Sequence, residues 1–244
     1  MRIAVLGDIH GNLEALSSVV DAARKEGVDE WVQVGDIVGY GPEPSACIDV
    51  VRDLGCTVCL GNHDAAVLGM LDTAYFNSYA RAAIEWTRTR IRPADYDYLR
   101  SLQLVVQKRE YTVVHGTLHM PDLFGYVVSQ VEAFDSLKLQ TTPLCFVGHS
   151  HVPAIYVQRG PREIDWINQS EIDYQLPAGQ KALVNVGSVG QPRDEDPRAA
   201  YAICDTKRGS IAIRRVHYDI ASVQKKIRDA GLPDMLAHRL ALGV

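Results

Sequence analysis

Short apolar runs alternate with helical patterns in the N-terminal part of the chain, and this alternation constrains the fold most. Residues 2–7, 31–35 and 57–61 are rich in β-branched and other apolar residues, which is typical of buried strands. Between them, residues 12–26 and 44–54 carry apolar side chains at helical spacing. Because parallel strands need a crossover connection, this β-α-β-α-β order predicts an α/β fold with a parallel sheet.

The rest of the sequence extends this core. Residues 64–106 lack a strand pattern and predict a helical insertion or lid. Strands are then predicted at 111–114 and 144–147, separated by a helix that begins at the capping box Ser129–Glu132. A strand-rich region follows at 154–158, 182–186, 200–205 and 210–217, and a helical tail at about 219–244. With 244 residues, we expect a single domain over residues 1–244.

Charge and cysteine content narrow the class of protein. The formal net charge of −5 disfavours a general nucleic-acid or anionic-membrane binder, which would carry a basic excess. No apolar run approaches the roughly 18 residues of a membrane span, so we expect a soluble cytoplasmic protein, with oligomerisation possible in principle. The five cysteines form an odd set, and Cys56 and Cys59 face opposite ways on a strand. We therefore expect buried thiols rather than a redox or zinc pair.

A polar donor follows each of five predicted strands. Asp8, Asp36, Asn62 and His149 each come directly after a glycine, and His115 ends its strand without one. Neighbouring positions add His10, His63, Asp64 and His151. Because ligands bind at the carboxyl ends of the strands in open α/β sheets, we expect these side chains to converge there.

Each feature alone has an ordinary explanation. An aspartate after a strand is commonly a helix cap, Gly-Asn-His-Asp can be a plain turn, and a lone histidine can be a satisfied core residue. Together they indicate a metal site. Asp, Asn and His donors without thiolate suit divalent first-row ions, with Mn as first choice and Fe, Zn, Co or Ni as alternatives. Seven donors are too many for one tetrahedral ion and fit two ions that share a carboxylate.

Five segments carry a family resemblance. Asp8–His10, Gly35–Gly39, Gly61–Asp64, His115 and Gly148–His151 resemble, in order and spacing, the motifs of calcineurin-like metallophosphoesterases. The resemblance implies a four-layer α/β/β/α sandwich of two mixed β-sheets flanked by helices. It also implies a dinuclear metal centre that hydrolyses phosphoric esters with a metal-bridging hydroxide.

The resemblance assigns roles by position. It implies that one ion is bound by Asp8, His10, Asp36 and His151, and the other by Asp36, Asn62, His115 and His149. His63 would be the general acid, supported by Asp64.

The chain departs from parts of the family. Tyr40 stands where protein Ser/Thr phosphatases and symmetrical diadenosine tetraphosphate hydrolases usually carry arginine, and Asp64 replaces a glutamate. The chain looks more like the small prokaryotic phosphodiesterase branch, which includes phosphodiesterases, phosphatases and some dinucleoside polyphosphate hydrolases. We therefore expect a small phosphorylated substrate, and a monoester, a diester and a dinucleoside polyphosphate all stay open.

A second loop is similar to one in that branch. Residues 185–193 resemble its Asn-Pro-Gly-Ser-x-Gly-x-Pro-Arg loop, with Val186 in place of the usual proline. We predict that Asn185, Ser188 and Arg193 bind substrate, together with His119 on the loop after His115. The alternative for residues 185–193 is a loop held by ordinary turn hydrogen bonds.

Two other functional classes remain for this fold. A non-catalytic interaction scaffold would be expected to lack a metal donor or the acid histidine, and all are present. A nuclease would be expected to carry a basic groove, which the net charge of −5 does not indicate. Phosphoester hydrolysis is the function that the sequence favours.

Overall fold

The computed structural model describes residues 1–244, which form twelve strands and eight α-helices. The strands are β1 (Arg2–Leu6), β2 (Glu30–Gln33), β3 (Thr57–Val58), β4 (Val105–Gln107), β5 (Tyr111–Val114), β6 (Leu144–Val147), β7 (Ala154–Gln158), β8 (Ile164–Ile167), β9 (Ile172–Gln175), β10 (Lys181–Asn185), β11 (Ala199–Asp205) and β12 (Ser210–Val216). The helices are α1 (Leu13–Lys25), α2 (Pro44–Asp53), α3 (Asn62–Val67), α4 (Ser78–Arg88), α5 (Pro93–Arg100), α6 (Gln130–Leu139), α7 (Ile220–Asp229) and α8 (Asp234–His238). None of the helices combines the length and apolarity needed to cross a bilayer.

The strands form two mixed six-stranded sheets. The first has the order β3-β2-β1-β11-β12-β9, and its strands β1, β2 and β3 are parallel as predicted. The second has the order β4-β5-β6-β10-β7-β8, with β5, β6 and β10 parallel. In each sheet the parallel strands therefore end at one edge, where connections to the following elements begin.

The layers follow from the alternation of side chains along the strands. On β1, Ile3 and Val5 pack between the two sheets, whereas Ala4 and Leu6 pack with the core that includes α1 and α2. On the outer face of the second sheet, Leu183 and Val147 pack with residues of α6. Both sheets are thus covered on their outer faces by helices, which confirms the four-layer α/β/β/α sandwich.

Several elements differ from the predicted ones. The strand predicted at 57–61 is only Thr57–Val58, and Cys59 then forms an isolated bridge with Gln103. The segment 64–106, predicted without a strand, ends in β4. Strands β8 and β9 were not predicted. Both lie at sheet edges and are partly exposed, so their sequences lack the continuous apolar pattern of the central strands.

All five cysteines are free thiols. Burial raises the pKa of the Cys56 thiol to about 12 and that of Cys59 well above its ordinary value. Because the thiolate is the reactive form, burial holds both thiols in their neutral, unreactive form at pH 7.

The C-terminal helices pack behind the loop that follows β2. Tyr40 on that loop lies in a core with α4, α7 and α8. Lys226 on α7 forms ion pairs with Glu14 at 2.5 Å and with Glu43 at 2.7 Å. These contacts tie the tail to the start of α1 and to the residue that precedes α2.

A buried carboxylate connects α5 to α2. Asp95 is fully buried and accepts hydrogen bonds from the Arg92 backbone N–H at 2.8 Å, the Arg92 guanidinium at 2.8 Å and the Ser45 hydroxyl at 2.6 Å. Burial raises the pKa of Asp95, but these hydrogen bonds outweigh it and hold the pKa below its ordinary value. The ionised form therefore stabilises the folded state.

We expect Asp95→Asn to lower the free energy of unfolding by about 1–2 kcal/mol at neutral pH, because it removes an ionised acceptor of several hydrogen bonds. Because the folded-state pKa is depressed, this contribution is complete above the unfolded pKa of about 3.9 and is lost as the pH falls through the folded pKa. Urea unfolding of the parent and of Asp95→Asn, from neutral pH down through the folded-state pKa, measures the difference in free energy of unfolding. Asp97→Asn, an exposed position on the same helix, is the control. A difference between Asp95→Asn and the parent that does not shrink in acid would contradict this account.

Candidate metal centre

The structure brings all the predicted donors together at one edge of the two sheets. Each lies directly after a strand or at the start of the next helix: Asp8 and His10 after β1, Asp36 after β2, Asn62 at the start of α3, His115 after β5, and His149 and His151 after β6. All except the half-buried Asn62 are buried. Convergence at the carboxyl ends of the strands is therefore as the sequence predicts.

The loops that carry these donors have an unusual backbone. Nine non-glycine residues have positive φ, and six of them lie at this site: Asp8, His10, Asp36, Tyr40, His149 and His151. The left-handed region costs an L-residue roughly 1–2 kcal/mol, so the surrounding structure must enforce it. Backbone bonds do so here, since the His10 N–H donates to the Asp36 carbonyl at 3.0 Å and the Gly41 N–H to the His10 carbonyl at 2.8 Å.

The first donor cluster places two imidazole nitrogens against each other. His10 Nδ1 lies 3.0 Å from the Val38 carbonyl, and His151 Nδ1 lies 2.6 Å from the Gln191 carbonyl. Because a carbonyl can only accept, both Nδ1 atoms carry the proton and both neutral rings present an Nε2 lone pair. The two Nε2 atoms are 3.1 Å apart, and Asp8 Oδ1 is 3.3 Å from His151 Nε2. Three electron-pair donors thus point at one another.

The second cluster repeats this arrangement with His115 and His149 from the second sheet and Asn62 from the first. His115 Nδ1 donates to the Val34 carbonyl at 2.8 Å, so Nε2 points inward. That Nε2 lies 2.9 Å from Asn62 Oδ1 and 3.1 Å from His149 Nδ1. Burial lowers the pKa of His115, but the charge and hydrogen bond of Asp36, together with Asp8 and the Val34 carbonyl, outweigh burial and raise the pKa to about 9. The cluster therefore favours a positive charge at this position.

Asp36 lies between the two clusters. Its Oδ2 is 3.6 Å from His10 Nε2 and 3.4 Å from His115 Nε2, and its Oδ1 accepts the His63 backbone N–H at 2.8 Å. Burial raises the pKa of Asp36, but His115 and other nearby histidines outweigh it and hold the pKa well below its ordinary value. An ionised carboxylate is therefore available to both groups of donors.

This donor set fits two divalent cations. The facing lone pairs of His10 and His151 repel unless a positive charge lies between them, and the second cluster favours a positive charge at His115. Carboxylate and imidazole donors together suit first-row divalent ions. The second ring nitrogens of His10, His115 and His151 all bond backbone carbonyls, as metal-bound histidines do. The assignment of individual ligands to two ions stays a prediction.

Asp64 makes no hydrogen bond to the His63 ring, and its expected support of that ring stays a prediction. Its carboxylate accepts the backbone N–H groups of Asp36 at 2.8 Å, Val38 at 3.2 Å and Gly61 at 3.2 Å. Burial raises the pKa of Asp64 to about 7, and these backbone donors oppose that shift. The residue thus orders the Asp36 loop and the start of α3.

The His63 ring lies in an aromatic setting. Its centroid is 4.5 Å from that of Tyr40 and 5.2 Å from that of Phe76. The Nδ1 atom is buried and has no hydrogen-bond partner. Burial lowers the pKa of His63 to about 4, so the ring is neutral at pH 7 in the absence of an anion.

The 185–193 loop mostly supports other loops. Asn185 Nδ2 donates to the Gly148 carbonyl at 2.9 Å and to Ser150 Oγ at 2.8 Å, and Ser188 Oγ donates to the Asp8 carbonyl at 2.8 Å. Both side chains are fully buried and neither lines the cavity beside the donors. The polar atoms of Asn185 and Ser188 therefore hold the loops that carry the donors, and substrate contact by these two residues stays a prediction.

Arg193 and His119 have different outcomes. Arg193 lines the cavity, where its guanidinium donates to Gln191 Oε1 at 2.9 Å and lies 5.8 Å from the centre of the Tyr40 ring. His119 is exposed and lies outside the cavity lining, so its substrate contact stays a prediction. The loop that carries it reaches the cavity a few residues later, through Asp122–Tyr126.

A cavity of about 640 Å³ opens beside the donors. Asp36, Asn62, His63, His149, His151 and Arg193 line its floor. Its outer part is lined by two segments, 71–77 and 122–126, and Tyr126 stacks on His149 with the ring centres 3.9 Å apart. Residues 71–77 were not predicted as cavity lining, whereas residues 122–126 belong to the loop after His115 on which the sequence places a possible substrate contact. Aromatic residues in loops, outside any strand or helix spacing, were the available signal.

Comparison with known proteins agrees with this geometry. The model of the calcineurin-like phosphoesterase superfamily domain matches residues 1–209. A crystal structure of a metallophosphoesterase from Sphaerobacter thermophilus is 38% identical, with a TM-score of 0.90 over 100% of this chain and 99% of that one. An uncharacterized protein of Methanocaldococcus jannaschii is 38% identical over 99% of this chain and 98% of its own length.

A shorter similarity links the chain to nucleotide hydrolases. A symmetrical bis(5'-nucleosyl)-tetraphosphatase of Psychromonas ingrahamii is 33% identical over 73 residues, which are 29% of this chain and 26% of that enzyme. This similarity is therefore local, whereas the two relatives above match over nearly their whole length.

We expect the purified protein to bind about two Mn²⁺ ions per chain. Inductively coupled plasma mass spectrometry after gel filtration measures the number of bound ions. Bound ions should raise the free energy of unfolding, by about 2.7 kcal/mol at a free ion concentration one hundred times the dissociation constant. Asp36→Asn should lose both effects because the shared carboxylate reaches both clusters. Asp95→Asn, another buried carboxylate, should destabilise the fold and keep the ions. Two retained ions in Asp36→Asn would contradict the shared position.

Proposed function

This chain belongs to the calcineurin-like phosphoesterase superfamily, and we propose that it hydrolyses phosphoric esters of small molecules at a centre of two divalent metal ions. The observation that carries the proposal is the pair of buried donor clusters on either side of Asp36. The family uses divalent metal ions, and the donor chemistry of the clusters agrees with that requirement.

The proposed ligands of one ion are Asp8, His10, Asp36 and His151, and those of the other are Asp36, Asn62, His115 and His149. Mn²⁺ is our first choice. When bound, two such ions would make a water nucleophilic at neutral pH and neutralise the charge of a phosphoryl group. Their charge exceeds that of Asp8 and Asp36, so the site would attract an anion although the chain has a net charge of −5.

Arg193 is proposed to bind phosphate oxygens. It lines the cavity floor, and its guanidinium forms no ion pair with any carboxylate. Its Nε and Nη2 donate to Gln191 Oε1, whereas its Nη1 makes no hydrogen bond and stays available for a phosphoryl group. Tyr40, against which it packs, holds the guanidinium at the side of the cavity next to His63.

His63 is proposed to protonate the leaving oxygen. Its ring lies on the cavity floor, and Tyr40 and Phe76 limit its rotation. The ring is neutral before substrate binds, because burial lowers its pKa to about 4. A phosphate anion beside the ring would favour the imidazolium form, so the proton would be taken up together with the substrate.

The proposal predicts hydrolysis of some phosphoesters by the Mn²⁺-loaded protein. A panel of bis-nitrophenyl phosphate, cyclic nucleotides, nucleoside monophosphates, diadenosine tetraphosphate and phosphoserine peptides separates diesterase, monoesterase and polyphosphate hydrolase activity. Asp36→Asn should lower kcat/KM at least about a hundredfold on every substrate that the parent hydrolyses. Absence of turnover on the whole panel by protein that holds two ions would refute the proposed function.

We expect the effect of His63→Ala to depend on the leaving group. Loss of a general acid costs about 10²–10⁴ in rate when the leaving oxygen is a basic alkoxide, and much less for nitrophenolate, which leaves without protonation. The measurement is kcat/KM for one alkyl and one nitrophenyl phosphoester that differ only in the leaving group. His238→Ala, an exposed histidine on α8, is the control. Equal losses on both esters would remove His63 from the proton-donor role.

A further inference from the structure

The outer part of the cavity carries apolar side chains that the fold does not use. Tyr75 is 90% exposed, Leu123 is 65% exposed and Tyr126 is 51% exposed, and all three line the cavity. Large apolar side chains grouped around a concave opening are characteristic of a ligand-binding surface. Hydrolysis of a phosphoester at the donor clusters does not by itself require them.

Tyr75 differs from the other aromatic residues of this cavity. Phe76 packs on His63 and Tyr126 stacks on His149, so both support the floor. Tyr75 makes no ring contact and its hydroxyl makes no hydrogen bond within the chain. Its backbone is nevertheless held, because the Ala74 N–H donates to Asp72 at 2.8 Å and Arg81 Nε donates to the Thr73 carbonyl at 3.2 Å. A fixed turn thus presents a free aromatic face.

The charged residues of the cavity, like its apolar residues, differ between the floor and the outer part. Arg193 is the one lysine or arginine in the lining and lies at the floor. The outer part holds Asp72 and Asp122, which are exposed and form no ion pair. A phosphate at the floor would meet the donor clusters and Arg193, whereas a second phosphate further out would meet two carboxylates.

From this division we propose that the outer part of the cavity binds a flat, uncharged aromatic group of the substrate by stacking on Tyr75 and packing on Leu123. The inference rests on the proposed function, because it places the phosphoester at the floor. It deepens that function by naming the substrate class: monophosphate esters of nucleosides or of aryl alcohols, with one phosphate between the floor and the ring. Asp72 and Asp122 disfavour substrates with a polyphosphate chain.

Binding rather than turnover tests this inference first. Isothermal titration of the Mn²⁺-loaded protein measures the dissociation constants of inorganic phosphate and of an adenosine 5'-monophosphate analogue whose ester oxygen is replaced by CH₂, so that no hydrolysis occurs during the titration. Base–aromatic stacking predicts that Tyr75→Ala weakens the nucleotide about tenfold or more and leaves inorganic phosphate within about twofold. Tyr75→Phe should keep the nucleotide affinity. Tyr79→Ala, half-exposed on the adjacent helix α4 and outside the cavity lining, is the matched control.

A second comparison, made with equally non-hydrolysable analogues, tests the effect of the Asp72 and Asp122 carboxylates. Adenosine 5'-diphosphate should bind the parent no more tightly than the monophosphate, and Asp72→Asn combined with Asp122→Asn should raise the affinity for the diphosphate about two- to fivefold. A parent protein that prefers the diphosphate or triphosphate by tenfold would overturn the one-phosphate class. Equal losses of nucleotide and inorganic phosphate in Tyr75→Ala would overturn the stacking site.

These outcomes are separable from the fate of the proposed function. Protein that hydrolyses no phosphoester yet binds the monophosphate in a Tyr75-dependent way would refute the catalytic proposal and support the aromatic site. Protein that hydrolyses bis-nitrophenyl phosphate while Tyr75→Ala binds the monophosphate normally would refute the aromatic site alone.

Discussion

The carboxylate of Asp36 is the interaction on which the rest of the site depends. It is the side chain that approaches both donor clusters, with Oδ2 3.6 Å from His10 Nε2 and 3.4 Å from His115 Nε2. Its own position is fixed from both ends, since its N–H donates to Asp64 and its Oδ1 accepts the N–H of His63. The two sheets contribute different donors, and the Asp36 carboxylate is the group that lies near donors from both sheets.

Close approach of backbone to carboxylate makes that frame possible. A Cβ on Gly61 would collide with the Asp36 carboxylate, and one on Gly148 would collide with the carboxylate of Asp8. The glycine before a donor therefore has a steric role, because the backbone at the end of one strand can lie directly against the carboxylate that follows another strand. The hydrogen bonds from Asn185 and Ser188 then fix the loops from behind.

The sequence could predict the donors because each follows a strand, and parallel strands bring their ends to one edge whatever the loops do. The family resemblance, which the comparisons support, added the second sheet. Edge strands β8 and β9 were missed, since half-exposed strands lack a continuous apolar run. Asn185, Ser188 and His119 lie outside the cavity lining for a different reason. Which way a loop side chain points depends on turn conformation, and residue type alone does not specify it.

The outer cavity could not be predicted from periodicity either. Tyr75 and Leu123 belong to single 3₁₀ turns, where neither the helical nor the strand period applies. Their meaning depends on exposure and on what else lines the same space, and both are properties of the folded chain.

The left-handed backbone at six site residues has a consequence for how the chain can change. Glycine would relieve the strain at Asp8, His10 or His151 and remove a donor at the same time. A substitution that stabilises the fold at one of these positions would therefore also remove a donor side chain. A thermostabilised descendant of this protein would have to gain its extra robustness elsewhere, in the helices and sheet faces remote from the strand ends.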